Sequence, residues 1–284
     1  MSEGTLPAPT SLRVPGAAYV LPPLLLVATL FYYPLGLIAS QSLAGAGRFG
    51  AVLGSALFQN ALLHTIEIAL AATTGCIALG FSLALVLAFV PFPGARTVSR
   101  LIDTVIALPT FLVALAFTFL YGSAGLLNEA LMQLSGASEP PVAFLYSIWG
   151  VVLAEVTVYT PFIMRPLLAA FGQIDPAQIE VASSLGAGLA RIVRQIILPA
   201  ALPSLLASGS LCLLLTVNEF GIVFFIGAKG VTTLPLLIYD KAIQEFDYST
   251  ACVIALVNVL LSVVLYAMYR AVVGRFGGAS ADLG

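Results

Sequence analysis

The chain has 284 residues, 60% hydrophobic and 8% charged, with 11 basic and 13 acidic side chains and a formal net charge of −2. A soluble domain carries about 25% charged residues, so this chain cannot clothe itself for water, and a mean hydropathy of +1.08 makes lipid the solvent for most of its surface. The near-neutral balance also excludes the basic footprint that nucleic acid requires.

A membrane-crossing helix needs about 20 mostly apolar residues, because each residue rises about 1.5 Å and the hydrocarbon is about 30 Å thick. Six stretches qualify: 19–40, 65–90, 104–121, 142–164, 201–226 and 251–273. The first is too long for the apolar core of a cleavable signal, and its leader holds one cation, Arg13, so it reads as a span. The second opens at His64 with Glu67 one turn on, which predicts an interfacial pair. Pro109 stands near the start of the third, where neighbours can satisfy the freed carbonyl. Beyond it, Leu126, Leu127, Ala130, Leu131 and Leu134 form a helical stripe that predicts a short helix on the outer face. Another outer helix is predicted over 234–246, with Asp247 or Ser249 capping the sixth span. Cys76, Cys212 and Cys252 lie in apolar stretches, with neither metal-ligand nor disulfide spacing.

Positive charge sets the orientation. With the N-terminus inside, the inner segments hold Arg13, Arg96, Arg100, Arg165, Arg191, Arg194, Arg270 and Arg275, while the outer ones hold Arg48, Lys229 and Lys241. Such an excess in short loops predicts two cytoplasmic termini. The expected organisation is an all-α polytopic membrane protein: tails at 1–18 and 274–284 flank a permease domain at 19–273, its core at about 60–270 and a cytoplasmic hairpin at about 165–200.

The hairpin carries the strongest local signal. Asp175-Pro176-Ala177-Gln178 reads as a helix start, with Asp as N-cap, Pro at the first position and Gln three residues after the cap. That helix is expected to run to about Leu185 and end at Gly186. In the next, Leu189, Ile192, Val193, Ile196 and Ile197 share one apolar face opposite Arg191, Arg194 and Gln195, and Pro199 is expected to end it. From the residues alone, this piece is either a docking knob or a loop packed beneath the bundle.

Glu180-Val181-Ala182, three residues, Gly186, nine residues, Ile196, one residue and Leu198-Pro199 resembles the EAA loop of binding-protein-dependent ABC importer permeases, with Val181 where the family usually has alanine. The resemblance extends from about Asn60 to Arg270. It implies a type I importer permease of the bacterial inner membrane, six spans, and a coupling helix that inserts into a separate ATPase. Glu180, Ala182, Gly186, Ile196, Leu198 and Pro199 would form that coupling element. Its implied partners are ABC ATPase subunits, a periplasmic or lipoprotein substrate-binding protein and a second permease subunit, identical or paralogous. Asn218-Glu219-Phe220-Gly221 and Tyr159-Thr160-Pro161-Phe162 are similar to the sulfate, molybdate, ferric iron and phosphonate group. Phe31-Tyr32-Tyr33-Pro34, Ser40-Gln41-Ser42-Leu43 and Leu120-Tyr121-Gly122-Ser123 most resemble the 2-aminoethylphosphonate permeases. Sulfate, molybdate, ferric iron or polyamine remain alternative cargoes.

The sequence has no G-x-x-x-x-G-K-[ST] loop, so ATP and Mg are expected on the partner ATPase, with no cofactor, metal or catalytic set in this chain. Glu155 and Glu219 fall inside spans, where a carboxylate costs about 2.5–3.5 kcal/mol on insertion scales. With Asn218 they are expected to line the pathway or gate, or to fix helix packing; for Glu219 the favoured role is a hydrogen bond across the subunit interface. Two other classes compete. An ion-driven secondary transporter would show paired repeats with broken helices, and an intramembrane enzyme would need a catalytic constellation; the sequence shows neither.

Overall fold

Ser55 starts the longest helix of the protein: its side chain accepts the Phe58 N–H at 3.3 Å, and the helix then runs without interruption from Ala56 to Phe89. The structure, a computed structural model, describes residues 16–44 and 46–276, and every regular element among them is helical. In chain order these are α1 (Tyr19–Leu43), α2 (Ala46–Leu53), α3 (Ala56–Phe89), α4 (Ala95–Thr104), α5 (Thr110–Tyr121) and α6 (Leu126–Ser135). There follow α7 (Ile148–Phe171), α8 (Pro176–Ser184), α9 (Leu189–Val217), α10 (Gly221–Ile226), α11 (Leu234–Tyr239) and α12 (Tyr248–Phe276). Six segments are long and apolar enough to cross a membrane: α1, α3, α5 with α6, α7, α9 and α12. The tails expected at 1–18 and 274–284 fall largely outside the described residues.

The core is a three-helix pack of α3, α7 and α9. α7 is the axle, with 61% of its most apolar stretch buried, against none for α1. Ala72, Cys76, Gly80 and Ala84 recur every four residues along α3 and are buried, a row of small side chains that lets α7 come close. A Cβ on Gly80 would lie 2.8 Å from Ile163 Cβ and 3.2 Å from Thr160 O. α1 leans on α12 and otherwise presents leucines and aromatics outward.

Several expected boundaries move. The second span begins at Ala56 instead of residue 65, because the Ser55 cap and the buried Phe58 and Ala61 continue the helix past Asn60. His64 therefore lies well inside α3, and its Nδ1 sits 3.2 Å from Thr232 O, so the pair with Glu67 is replaced by a tie to the loop before α11. Pro109 does not sit inside a helix. It is the N-cap of α5, and Val105–Ala107 and the extended Leu108 separate α5 from α4. The twelve residues of α5 reach only about 18 Å, so the third span is a broken one.

Pro199, expected to end the second hairpin helix, lies within α9. A π-turn over Val193–Ile197 absorbs it, with the Leu198 N–H bonding Val193 O, and the hairpin flows directly into the fifth span. The fourth span runs on past Met164 to Phe171, since Leu167 and Phe171 are buried in the main core. α6 forms over the predicted stripe, α11 forms over the first part of the predicted 234–246 helix and gives way to a π-turn over Asp240–Gln244, and Asp247 caps α12 through the Thr250 N–H at 3.2 Å.

Candidate functional site

The hairpin starts as its sequence dictates: Asp175 Oδ1 accepts the Ala177 N–H at 2.9 Å and Pro176 follows. α8 ends at Ser184, with Leu185 as C-cap and Gly186 just beyond at φ +82°. Gly186 donates to Ser183 O at 2.9 Å and Ala187 to Ala182 O at 3.0 Å, the paired bonds of a Schellman motif. Glycine is favoured here because a left-handed residue with a side chain, above all a β-branched one, is strained.

Ala182, Ile196 and Leu198 pack against the main core, and Ile192 and Ile197 are buried. Glu180, Gly186 and Pro199 stay at the surface. Leu189, assigned by periodicity to the packing face, is instead 75% exposed, because it opens the second helix directly after Gly188 and points away from the bundle. Val181 and Leu185 are also exposed, so an apolar set crowns the hairpin. Sequence reasoning missed this set, because its members are brought to the hairpin's crown by the turn at Gly186 and not by the periodicity of one helix.

The second constellation lies at the far end of α9. The fifth span was expected to be continuous over 201–226, but the helix stops at Val217 and restarts at Gly221. Asn218 and Glu219, polar side chains able to compete for backbone groups, stand in the gap. Asn218 Nδ2 donates to Leu214 O at 2.8 Å and to Ser262 Oγ at 3.3 Å, and its Oδ1 accepts from Asn258 at 3.0 Å, tying the break to α12. Glu219 Oε1 accepts the Ile222 N–H at 2.9 Å, capping α10, and its Oε2 accepts the Tyr159 hydroxyl of α7. Both oxygens are thus engaged within the chain, one by each neighbouring element.

Gly221 brings the break of the fifth span against that of the third. A Cβ there would lie 2.9 Å from Thr110 Oγ1 and 3.6 Å from the Phe111 N. The Phe111 and Phe225 rings stack alongside at 5.2 Å. Glu155 stands one turn before Tyr159 on α7, fully buried, with neither carboxyl oxygen partnered among the described residues. Tyr159, Asn258 and Ser262 were not singled out from sequence as partners; their bonds to Glu219 and Asn218 join separate spans, and no local pattern signals them.

Broken helices were the feature expected of an ion-driven transporter, yet here they coexist with the hairpin, so they do not separate the two classes. A helical membrane permease with a two-helix hairpin between its fourth and fifth spans and two paired helix breaks is the class this fold defines. The sequence matches the family described as binding-protein-dependent transport system inner membrane component over residues 76–278, and the chain belongs to that family. It is a permease component of an ABC importer, in the inner membrane. PhnU of Salmonella typhi, a candidate 2-aminoethylphosphonate transport system permease protein, is 58% identical over 265 residues, covering 91% of this chain and 92% of that protein. The molybdenum transport system permease protein ModB of Mycobacterium bovis is 30% identical over 251 residues, covering 87% and 93%. A chain of a bacterial alginate ABC transporter, solved with its alginate-bound periplasmic protein, shares the fold at a TM-score of 0.79 and 19% identity, covering 92% and 94%.

Proposed function

We propose that this chain forms the pathway of an importer for 2-aminoethylphosphonate. The observation that carries this reading is the 58% identity to PhnU over nearly the full length of both chains. The energy comes from separate ATPase subunits, which hold the ATP and Mg. A binding protein delivers solute outside, and a second permease subunit completes the pathway.

In this reading both termini and the hairpin are cytoplasmic. Glu180, Ala182, Gly186, Ile196, Leu198 and Pro199 build the coupling element, Ala182, Ile196 and Leu198 rooting it while Val181, Leu185 and Leu189 enter the ATPase groove. Asn218, Glu219 and Glu155 act at the gate. The gate role rests on their position: Asn218 and Glu219 clamp a broken span between α7 and α12, an element that can be repacked without unfolding either neighbour.

The test is growth of the source bacterium, with this gene deleted, on 2-aminoethylphosphonate as sole phosphorus source. Growth should fail and return with the restored gene, while growth on inorganic phosphate is unchanged. Unimpaired growth of the deletion strain, or a defect only in sulfate or molybdate supply, refutes the substrate assignment.

A further inference from the structure

Arg48 and Lys241 are far apart in sequence, yet α2 and the turn after α11 bring them to one cavity of about 460 Å³. The cavity lies at the end of the bundle opposite the hairpin, because α9 leads away from the hairpin and α12 begins only after α11. Its floor is apolar, with Val52, Phe58 and Ile254, and its rim holds Arg48, Lys241 and Asp247. The volume falls within the roughly 300–1,000 Å³ typical of small-molecule sites.

The rim is charged in both senses and incompletely used. Arg48 makes one contact, Nη1 to Asp247 Oδ1 at 3.5 Å, leaving most of its five donors without a partner among the described residues. Lys241 spends both its contacts on Glu245, at 2.6 and 2.8 Å. Asp247 directs Oδ1 to Arg48 and Thr250, and bonding from Thr250, with the Arg48 guanidinium adding, holds this carboxyl below its usual value and therefore ionised at neutral pH.

We propose that this cavity is the headgroup site of one zwitterionic phospholipid of the phosphoethanolamine type. The phosphate sits against the Arg48 guanidinium and the Lys241 ammonium, the lipid ammonium against Asp247, and the glycerol and first methylenes lie on the apolar floor. Free 2-aminoethylphosphonate carries the same two charges but has only two methylenes with which to cover Val52, Phe58 and Ile254, so the floor favours the lipid. Leu57, which lines the cavity, is exposed, as are Ile243, Phe246 and Tyr248, close in sequence to Lys241 and Asp247, and such aromatic and aliphatic side chains suit the level where acyl chains meet water.

The permease, in complex with its ATPase, is placed in nanodiscs of equal parts phosphatidylethanolamine and phosphatidylglycerol, re-extracted, and its retained lipids counted by native mass spectrometry. The unaltered complex should retain phosphatidylethanolamine in preference. Arg48→Gln with Lys241→Gln should retain about a hundredfold less, the equivalent of two lost charge-assisted contacts, and Arg48→Lys should stay near the unaltered level. Because the preference is read on the unaltered complex, a variant that failed to assemble would not decide the matter. Equal retention of the two lipids by the unaltered complex, undiminished retention by an assembled double variant, or displacement of the lipid by free 2-aminoethylphosphonate would each overturn the proposal.

Discussion

Tyr159 of the fourth span donates its hydroxyl to Glu219 Oε2 in the break of the fifth, so the carboxylate that caps α10 also holds α10 to α7. Tyr159→Phe removes one of the two bonds and leaves the ring packing with Phe162. An intramolecular hydrogen bond contributes about 0.5–1.5 kcal/mol net. Uptake should fall by up to about tenfold with assembly intact. Glu219→Gln should keep partial transport, and Glu219→Leu should lose it while still inserting. Wild-type uptake by both Glu219 variants makes the carboxylate a packing group and sinks the gate role; failure of Glu219→Leu to assemble makes it purely structural.

Glu155 is the opposite case, a fully enclosed carboxyl whose oxygens find no partner among the described residues. A buried polar group left without a hydrogen bond costs about 1–3 kcal/mol, and an apolar residue of similar volume removes that cost. Glu155→Met should therefore raise the melting temperature of the purified complex while lowering uptake, since the destabilising group is kept for transport. A lower melting temperature shows that Glu155 supports packing in the assembled importer.

At Gly186 the backbone sits at φ +82°, with no atom within 4 Å of where a Cβ would stand. Local conformation, and not crowding within the chain, is then what excludes a side chain. Gly186→Val should abolish stimulation of the partner ATPase by loaded binding protein, with the permease still inserted. Gly186→Asn, which tolerates the left-handed region better, should retain a measurable fraction. Equal activity of the two variants contradicts this account of the turn.

Asp247 gives a pH dependence of known sign. Its folded-state value lies below the ordinary one of about 3.9, so its stabilisation is complete above that value and lost as pH falls through the depressed one. Thermal melts of the complex with Asp247 or with Asn in its place should differ by a constant amount between neutral pH and about pH 5, converging only below about pH 4. Because this carboxyl is well exposed, the difference is small. Convergence already near pH 6 contradicts the assignment.

Topology is checked by single cysteines at three exposed positions, Ser138, Gly230 and Ser184. Membrane-impermeant maleimide added outside should label the first two and spare the third. Labelling of Ser184, or protection of Ser138, inverts the orientation.

Composition and the apolar runs were enough to read the six spans, because lipid demands length and apolarity, and both are local properties. The hairpin was equally legible: Asp175, Pro176 and Gly186 are local signals, and the Schellman bonds follow from them. The helix breaks were not. Whether Pro109 interrupts a span or starts a helix, and whether Asn218 and Glu219 stay helical, depends on Tyr159, Asn258, Ser262 and Thr110, which approach only after the bundle has packed. Pro199 misled in the other direction, since a π-turn upstream let the helix continue through it.

The central claim is that this permease, driven by a separate ATPase, carries 2-aminoethylphosphonate. Its most direct test is uptake into proteoliposomes holding this chain, its ATPase and any second permease subunit, with the binding protein outside and ATP inside. Labelled 2-aminoethylphosphonate should accumulate only when both ATP and the binding protein are present, and excess sulfate or molybdate should not compete. Accumulation of sulfate or molybdate in its place, or uptake that persists without ATP, would contradict the account.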